Sequence, residues 1–238
     1  MPGYVDLHDH SLPGVDDGAK AQAESIEMLQ RLQALGFSRV TCTPHVRRGW
    51  WDNEREHLEP VFEGLCAAVA EELPGMELRL GAENFMEGWF FERLDAGELI
   101  PLGEGGHVLV ELPHGETPAQ LEQLLFRTHL AGHTPVLAHP ERYHDLMKDL
   151  KRLQALRNRG VLMQVSLTSL GGKFGWWTRK CAQKLLAKGL CDLVATDVHS
   201  PEGVTEYVEP GLRRLRKLVG DQQTEELLGR APGRVLGP

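Results

Sequence analysis

The sequence predicts an α/β fold built as a closed or nearly closed barrel, in a single domain that spans residues 1–238. Short runs rich in Val and Leu alternate with longer amphipathic segments, which is typical of βαβ units and a mostly parallel sheet. Seven such runs, each apolar on both faces, favour a barrel over a sandwich. An open doubly wound sheet is the nearest alternative, but neither a G-x-G-x-x-G motif nor a P-loop follows the first run.

Each predicted element has a local signal in the chain. The seven strand runs are mostly too short for helices, and they cover residues 4–7, 39–43, 77–81, 107–110, 135–138, 161–165 and 193–196. Helical apolar patterns cover residues 21–35, 54–72, 118–131, 145–159, 178–188 and 206–219. Four of these patterns are followed by a helix-ending glycine, namely Gly36, Gly132, Gly160 and Gly189. Residues 230–238, which contain Gly and Pro, are predicted to form an extended end.

Composition excludes several classes of protein. The net charge of -8 argues against a nucleic-acid-binding surface, which needs a positive field. No apolar stretch approaches the ~20 residues of a membrane span, and the N-terminus lacks the apolar core of a signal peptide. The four cysteines form no C-x-x-C pair and are interpreted as reduced thiols; they are Cys42, Cys66, Cys181 and Cys191. We therefore expect a cytoplasmic protein without membrane insertion, whose oligomeric state the sequence leaves open.

Histidines and carboxylates follow six of the seven strand runs. They are His8, His10, Asp16 and Asp17 after the first run, then His45, Glu83, Glu111, His139, Asp197 and His199 after later runs. The carboxyl ends of the strands in a parallel α/β barrel meet at one face, where active sites are built. Mixed His and carboxylate ligands suit Zn, Mn or Fe, and their number exceeds what one ion uses. The sequence therefore predicts a multinuclear metal site.

A single histidine is more often a hydrogen-bonded loop or core residue than a ligand. That interpretation is kept for six histidines, namely His57, His107, His114, His129, His133 and His144. His8 and His10 differ because alternate residues of a strand face the same side and can chelate one ion. The Asp197-x-His199 pair after the last run strengthens the prediction of a metal site.

Six segments resemble one enzyme superfamily. "DLHDHSLPGVDDGA", "TPH", "GAE", "VELP", "AHPERY" and "ATDVHS" are similar to motifs of the PHP (polymerase and histidinol phosphatase) superfamily, and within it to CpsB/CapC-type bacterial protein-tyrosine phosphatases. The matched motifs run from Asp6 to His199. The resemblance implies a distorted seven-stranded (β/α)7 TIM-like barrel of the PHP type that carries two or three divalent metals, Mn, Fe, Zn or Co. The Asp-Asp-Gly after the first strand and Glu111 favour this branch over the histidinol phosphatases.

The resemblance also implies a ligand set. It assigns His8, His10, Glu83 and Asp197 to one ion, Glu83, Glu111 and His139 to a second, and Asp17, His45 and His199 to a third. Asp16 is expected to orient a ligand or cap a turn, although its role and that of Asp17 could be exchanged. Asp6 and Asp9 are expected to be structural.

The resemblance implies a metal-dependent phosphomonoesterase. It would hydrolyse phosphotyrosine in a protein, a bacterial tyrosine kinase of a capsule or exopolysaccharide system, through attack of a metal-activated hydroxide. Arg142, with Asp197 and His199, is a candidate catalytic residue, and the Arg142 guanidinium is suited to hold phosphate. Arg47 and Arg48 are further candidate substrate-binding residues.

Several alternatives stay open at the level of sequence. The nearest is a phosphatase for histidinol phosphate or another small phosphate ester. An amidohydrolase usually needs a bridging Lys, and none stands at a suitable strand end. A nuclease is disfavoured by the acidic charge, and a metal-binding module without turnover is disfavoured because all ligands are present. The pairs Trp50-Trp51 and Trp176-Trp177 either stack on an aryl substrate or pack loops onto the barrel, and packing is favoured.

Overall fold

Residues 3–113, 115 and 117–237 are described by a computed structural model; His114 and Pro238, named in the predictions above, lie outside them. The described chain forms an α/β fold with parallel strands, as predicted. The strands are β1 (Tyr4–Asp9), β2 (Phe37–Cys42), β3 (His45–Val46), β4 (Glu77–Leu80), β5 (Glu83–Phe85), β6 (His107–Glu111), β7 (Thr134–Ala138), β8 (Leu162–Ser166) and β9 (Leu193–Ala195). They form a sheet of order β1-β2-β4 and a sheet of order β3-β5-β6-β7-β8-β9.

Nine strands in two sheets are found where seven strands in one barrel were expected. The difference arises because the second and third predicted strands, β2 and β4, are each followed after a short break by a further strand that was not predicted, β3 and β5. Pro44, in the first interruption, has no N–H to donate to a ladder. Gly81, in the second, lies so close to Thr41 that a Cβ atom would stand 2.9 Å from its Cγ2. After each break the chain continues in a different sheet, and the strands of the described residues do not form a single closed barrel.

The edge strands of the two sheets, β1 and β9, meet at a short seam. The Asp197 amide donates to the His8 carbonyl at 2.7 Å, and the His10 amide donates to the Val198 carbonyl at 3.1 Å. Asp6 strengthens this seam, since its carboxylate accepts from the Thr196 amide at 2.9 Å and from the Thr196 hydroxyl at 2.5 Å. The seam thus brings candidate ligands from both ends of the fold together.

Replacing Asp6 with alanine is expected to lower the free energy of unfolding by about 1–3 kcal/mol, because it removes the acceptor of the buried Thr196 and His8 amides. Urea denaturation of the metal-free protein measures this change. Asp52→Ala is the matched control. The Asp52 carboxylate also accepts a hydrogen bond from a backbone amide, that of Gly49, but this bond lies on the exposed surface. Equal losses of stability in the two variants would contradict the proposed importance of the seam.

The helices cover all six predicted patterns and add others. They are α1 (Gln22–Ala34), α2 (Arg55–Glu72), α3 (Gly88–Ala96), α4 (Leu121–Leu130), α5 (His144–Lys148), α6 (Leu150–Asn158), α7 (Leu167–Gly171), α8 (Gly175–Ala187), α9 (Pro201–Gly203), α10 (Glu209–Glu225) and α11 (Ala231–Leu236). One predicted helix is divided into α5 and α6 at Asp149, whose side chain caps α6 by accepting from the Arg152 amide. The predicted glycines Gly36, Gly132, Gly160 and Gly189 have left-handed backbones. Within the described ranges, no helix is sufficiently long and apolar to span a bilayer.

The C-terminal segment was wrongly predicted to be extended. Residues 226–230 form a π-helical turn that leads into α11, and Ala231, Val235 and Leu236 of this helix are buried. Pro232 is compatible with the first turn of a helix. The helix packs in one apolar cluster with Val5 and Leu193, near the amino ends of β1 and β9. It therefore lies at the end of the sheets opposite the candidate ligands.

Candidate metal centre

The nine predicted ligands lie in one cluster at the carboxyl ends of the strands. Their side chains form four overlapping groups. Within each group, the ligand atoms all lie within 4.8 Å of one another. These groups are His10, Asp17, His45 and His199; His8, His10 and Asp197; His8, Glu83 and His139; and His45, Glu83 and Glu111. The arrangement offers several adjacent positions for a divalent ion, each with nitrogen and oxygen donors.

Glu83 stands at the centre of the cluster. Its Oε1 lies 3.0 Å from His139 Nε2, and its Oε2 lies 3.2 Å from His8 Nε2 and 3.0 Å from His45 Nδ1. The His8–His10–Asp197 group does not include Glu83, and Glu111 is grouped with His45 rather than with His139. The side chains are therefore assembled as predicted, while their division among individual ions stays a prediction.

Two histidines present lone pairs to each other, which is a sign that a cation fits between them. His8 Nδ1 donates to the side-chain amide oxygen Oε1 of Gln164 at 2.8 Å, and His10 Nδ1 donates to the Asp16 carboxylate at 2.9 Å. In the neutral rings, both Nε2 atoms then carry lone pairs. These two atoms are 3.1 Å apart, a repulsive arrangement that a bound cation relieves. Hydrogen bonds of this kind from the far ring nitrogen are a recurring support of metal-ligating histidines.

The two neighbouring aspartates have different environments. Asp16 is turned inward, where its side chain accepts from the amides of Gly18 and His45 as well as from the His10 ring. Asp17 Oδ1 lies 3.4 Å from His45 Nε2 and 3.5 Å from His199 Nε2. This geometry favours Asp17 as the ligand and Asp16 as the residue that orients His10.

Backbone strain and unsatisfied atoms coincide at the cluster. Among the described residues, His139 and Asp197 are the only non-glycine residues with positive φ, at 35° and 55°. Such conformations are costly and tend to occur at functional sites. His139 Nδ1 is buried without a hydrogen-bond partner, and buried Glu83 Oε2 accepts no hydrogen bond of good geometry although the His8 and His45 rings lie within 3.2 Å of it. A buried carboxylate oxygen in this state is readily satisfied by a metal ion.

The protonation states also suit metal binding. Burial lowers the pKa values of His10, His139 and His199, which keeps these rings in the neutral, ligating form. The charge of Glu83 instead raises the pKa values of His8 and His45 in spite of their burial, and a metal ion would displace the proton from these two rings. Burial and the charge of Glu83 raise the pKa of Glu111 to about 7. Crowded carboxylates of this kind lack sufficient positive charge around them, and divalent cations would supply it.

The three predicted arginines differ in their distance from the cluster. Arg142 Nη2 donates to Asp197 Oδ2, which places its guanidinium directly beside the candidate ligands. Arg47 lies at the rim, with its guanidinium 4.0 Å from the Phe85 ring centroid. Arg48 forms an exposed ion pair with Glu92 at 3.1 Å. Arg142 is therefore the arginine best placed to act at the site.

The aromatic residues near the rim only partly follow the expectation of loop packing. The Trp51 ring stacks on His45 with centroids 4.7 Å apart, and Trp177 packs on His144. Trp50 and Trp176 are instead 68% and 64% exposed.

Phe174 was missed by the sequence analysis, although its ring centroid is 3.7 Å from Arg142 Cζ. Its only local signal is the pair of flanking glycines, Gly172 and Gly175, both with positive φ.

Comparison with known proteins places this geometry in a family. The family model for capsular polysaccharide synthesis, CpsB/CapC, matches residues 4–237. Tyrosine-protein phosphatase YwqE of Bacillus subtilis is 30% identical over 92% of this chain and 86% of its own length. Putative tyrosine-protein phosphatase CapC of Staphylococcus aureus is 32% identical over 82% of this chain and 77% of its own.

Solved structures agree with this placement. A structure from a study of YwqE from Bacillus subtilis and CpsB from Streptococcus pneumoniae, described as unique metal-dependent tyrosine phosphatases, superimposes with a TM-score of 0.88. It is 29% identical and covers 98% of this chain and 94% of the other. A β-aspartyl dipeptidase from Fervidobacterium islandicum AW-1 shares the fold alone, with a TM-score of 0.57 at 14% identity over 99% of this chain and 72% of its own. The chain therefore belongs to the CpsB/CapC family of capsular polysaccharide synthesis.

Proposed function

We propose that this chain is a metal-dependent phosphatase that hydrolyses phosphotyrosine in protein, in a single PHP-type domain of residues 1–238. The observation that carries the proposal is the pair of opposed Nε2 atoms of His8 and His10, which lie beside the unsatisfied Glu83 oxygen. Such a donor set is suited to divalent ions that act on an anionic substrate. The family relatives named as tyrosine-protein phosphatases support the choice of substrate.

The nine clustered side chains would hold two or three divalent ions, Mn, Fe, Zn or Co. These residues are His8, His10, Asp17, His45, Glu83, Glu111, His139, Asp197 and His199. When bound, such ions would stabilise the negative charge of the phosphate oxygens and lower the pKa of the attacking water. Four of the nine residues are carboxylates, so three divalent ions would leave the site with an excess of positive charge.

Arg142 and Asp197 would position the phosphate relative to this cluster. Asp197 Oδ1 faces His8 Nε2 at 3.6 Å, whereas its Oδ2 accepts from Ser166 Oγ at 3.2 Å and from Arg142. One carboxylate thus connects the candidate metal position with the guanidinium, without using the same oxygen for both. Arg142 would hold two phosphate oxygens through its planar fork, and Arg47 would act at the rim.

Departure of the tyrosine would need little acid catalysis. A phenol has a pKa near 10, so its phenolate is a better leaving group than an alkoxide. His199, which is partly buried and beside Asp17, would contribute to catalysis as a neutral ligand rather than as an acid, because burial lowers its pKa. A protein substrate of this kind would be a bacterial tyrosine kinase of a capsule system, which would place the phosphatase in the cytoplasm.

The proposed function is tested by hydrolysis of a phosphotyrosine peptide and of histidinol phosphate, with metal-stripped protein refilled with Mn. We expect a higher kcat/KM for the peptide, and loss of that turnover in His8→Ala. A preference for histidinol phosphate would keep the site but contradict the substrate. Absence of turnover with either ester, in protein that has bound metal, would contradict a phosphomonoesterase.

Phe174 is expected to contribute to selectivity for aryl phosphates. Its ring covers the Arg142 guanidinium and is 38% exposed, so the ring of an aryl phosphate held by Arg142 would lie against it. An aromatic pair contributes about 0.5–1.5 kcal/mol, so Phe174→Leu should raise KM for a phosphotyrosine peptide about 2- to 10-fold. KM for an alkyl phosphate should change little. Trp176→Leu is the control, because Trp176 is a more exposed aromatic residue two positions further along the chain. Equal effects of Phe174→Leu on the aryl and the alkyl ester would contradict this role.

A further inference from the structure

A second concave site lies at the opposite end of the molecule from the candidate metal centre. It has a volume of about 430 Å³ and lies where β1 and β2 begin, against the C-terminal part of α10 and the turns that follow. We call it the arginine cleft, and its principal lining residues are Tyr4, Leu35, Arg39, Arg216, Glu225 and Arg230. The cleft has the size of a small-molecule site rather than of a groove for a protein segment.

The positive charge of the arginine cleft is poorly compensated. The Arg39 side chain is half-buried and makes no hydrogen bond or ion pair with any other residue that the structure describes. Arg216 Nη2 donates to the neutral Tyr4 hydroxyl at 3.0 Å. Arg230 forms long ion pairs with Glu225 at 3.8 Å and with Glu226 at 3.9 Å, so the compensation is concentrated on this arginine. Three guanidinium groups thus surround the cleft with one carboxylate, in a protein whose net charge is -8. A half-buried cation of this kind is stabilised by a bound counter-ion.

The walls of the cleft hold these groups in place. A Cβ atom on Gly233 would meet Arg39 Nη2 at 3.4 Å, so the guanidinium lies directly against the backbone of α11. The Tyr4 ring packs over Gly36, where a Cβ atom would stand 3.6 Å from the ring, and makes an edge contact with Phe37 at 5.5 Å. Half-buried Leu35 extends this apolar surface. A fixed apolar wall therefore stands beside the arginines.

We infer that the arginine cleft binds a small organic phosphate, with the phosphate on Arg39 and Arg216 and a flat ring against Tyr4 and Leu35. Guanidinium groups bind phosphate oxygens through paired hydrogen bonds, and an arginine stabilises such an anion better than a lysine does. An extended polyanion is a poor fit, because nucleic-acid binding needs a longer stripe of positive charge than three arginines. The ligand would bind apart from the catalytic cluster, which lies at the other ends of the same strands.

The test is isothermal titration of the metal-loaded protein with a nucleoside 5′-phosphonate, whose C–P bond a phosphatase does not cleave. His8→Ala serves to remove binding at the metal centre. We expect two binding events in the wild type, at the metal centre and at the arginine cleft, and only the second in His8→Ala. In the His8→Ala background the Kd of that second event should rise at least about tenfold in Arg39→Ala/Arg216→Ala through loss of charge-assisted hydrogen bonds. Inorganic phosphate should bind more weakly than the phosphonate, since it has no ring for Tyr4.

Two further variants keep the result interpretable. Arg213→Ala, which removes an exposed arginine of α10 paired with Glu209, should bind like the wild type. Arg216→Glu changes one exposed side chain without disturbing the interior, and it should weaken binding even if the double variant fails to fold. Unchanged binding in Arg216→Glu, or loss of both events in His8→Ala, would overturn the inference. Equal affinity for inorganic phosphate would overturn the part assigned to the ring.

Discussion

The variant His8→Ala is expected to lose bound metal and to lower kcat/KM for a phosphotyrosine peptide by about 10³-fold or more, the scale on which transition-state stabilising groups act. His8 belongs to two of the four overlapping ligand groups, and its Nε2 lies 3.2 Å from Glu83 and 3.6 Å from Asp197. Its removal therefore weakens two candidate metal positions together.

The measurement combines metal content by elemental analysis with steady-state kinetics at saturating Mn. His57→Ala is the matched control, because His57 is exposed on α2 and belongs to none of the ligand groups. Gln164→Leu should give an intermediate result, about 10- to 100-fold weaker metal binding, since it removes only the hydrogen bond that orients His8. Full metal content in His8→Ala together with wild-type kinetics would contradict the ligand assignment.

The candidate metal centre was largely predictable because of a property of parallel strands. Their carboxyl ends converge, so polar residues after successive apolar runs assemble even when they are distant in sequence. His8 and Asp197 illustrate this, since they are 189 positions apart in the chain and their side chains meet across the seam between β1 and β9. All nine clustered side chains were therefore among the ten candidates at the strand ends, and the resemblance to a known family supplied the choice of Asp17 over Asp16.

Interactions that depend on packing were not predictable in the same way. Gln164 lies inside the apolar run of β8, and nothing in its neighbourhood indicates that its side chain meets His8 from a strand 156 residues away. Phe174 follows no strand end, and its contact with Arg142 depends on how one loop folds over another.

The ends of the sheets and of the chain depended on tertiary contacts too. The strand breaks near Pro44 and Gly81 arise where the two sheets diverge, and the C-terminal helix forms because Val235 and Leu236 find an apolar surface near Val5. Local propensity in a segment that contains Gly and Pro favours an extended end, and burial overrides it. The predicted number of strands differed from the observed number because the divergence of the two sheets also depends on tertiary contacts.

The variant Arg142→Lys is expected to lower kcat/KM for the phosphotyrosine peptide by about 10²-fold while bound metal is retained. The substitution keeps the positive charge, but a lysine cannot pair with two phosphate oxygens through a planar fork. The Arg142 guanidinium is also held on two sides, by Asp197 and by the Phe174 ring, and its buried Nε has no hydrogen-bond partner. These contacts hold the guanidinium in place before a substrate binds.

Kinetics and metal content together separate this role from that of a metal ligand. Arg48→Lys is the matched control, because Arg48 forms an exposed ion pair with Glu92 and should tolerate the change. Because Asp197 presents one oxygen to His8 and the other to Arg142, Arg142→Lys should leave the ligand group intact and weaken retention of phosphate, seen as a higher Ki for inorganic phosphate. Loss of metal in Arg142→Lys would instead mean that the guanidinium supports the ligand Asp197 rather than the substrate. Activity equal to that of Arg48→Lys would exclude Arg142 from both roles.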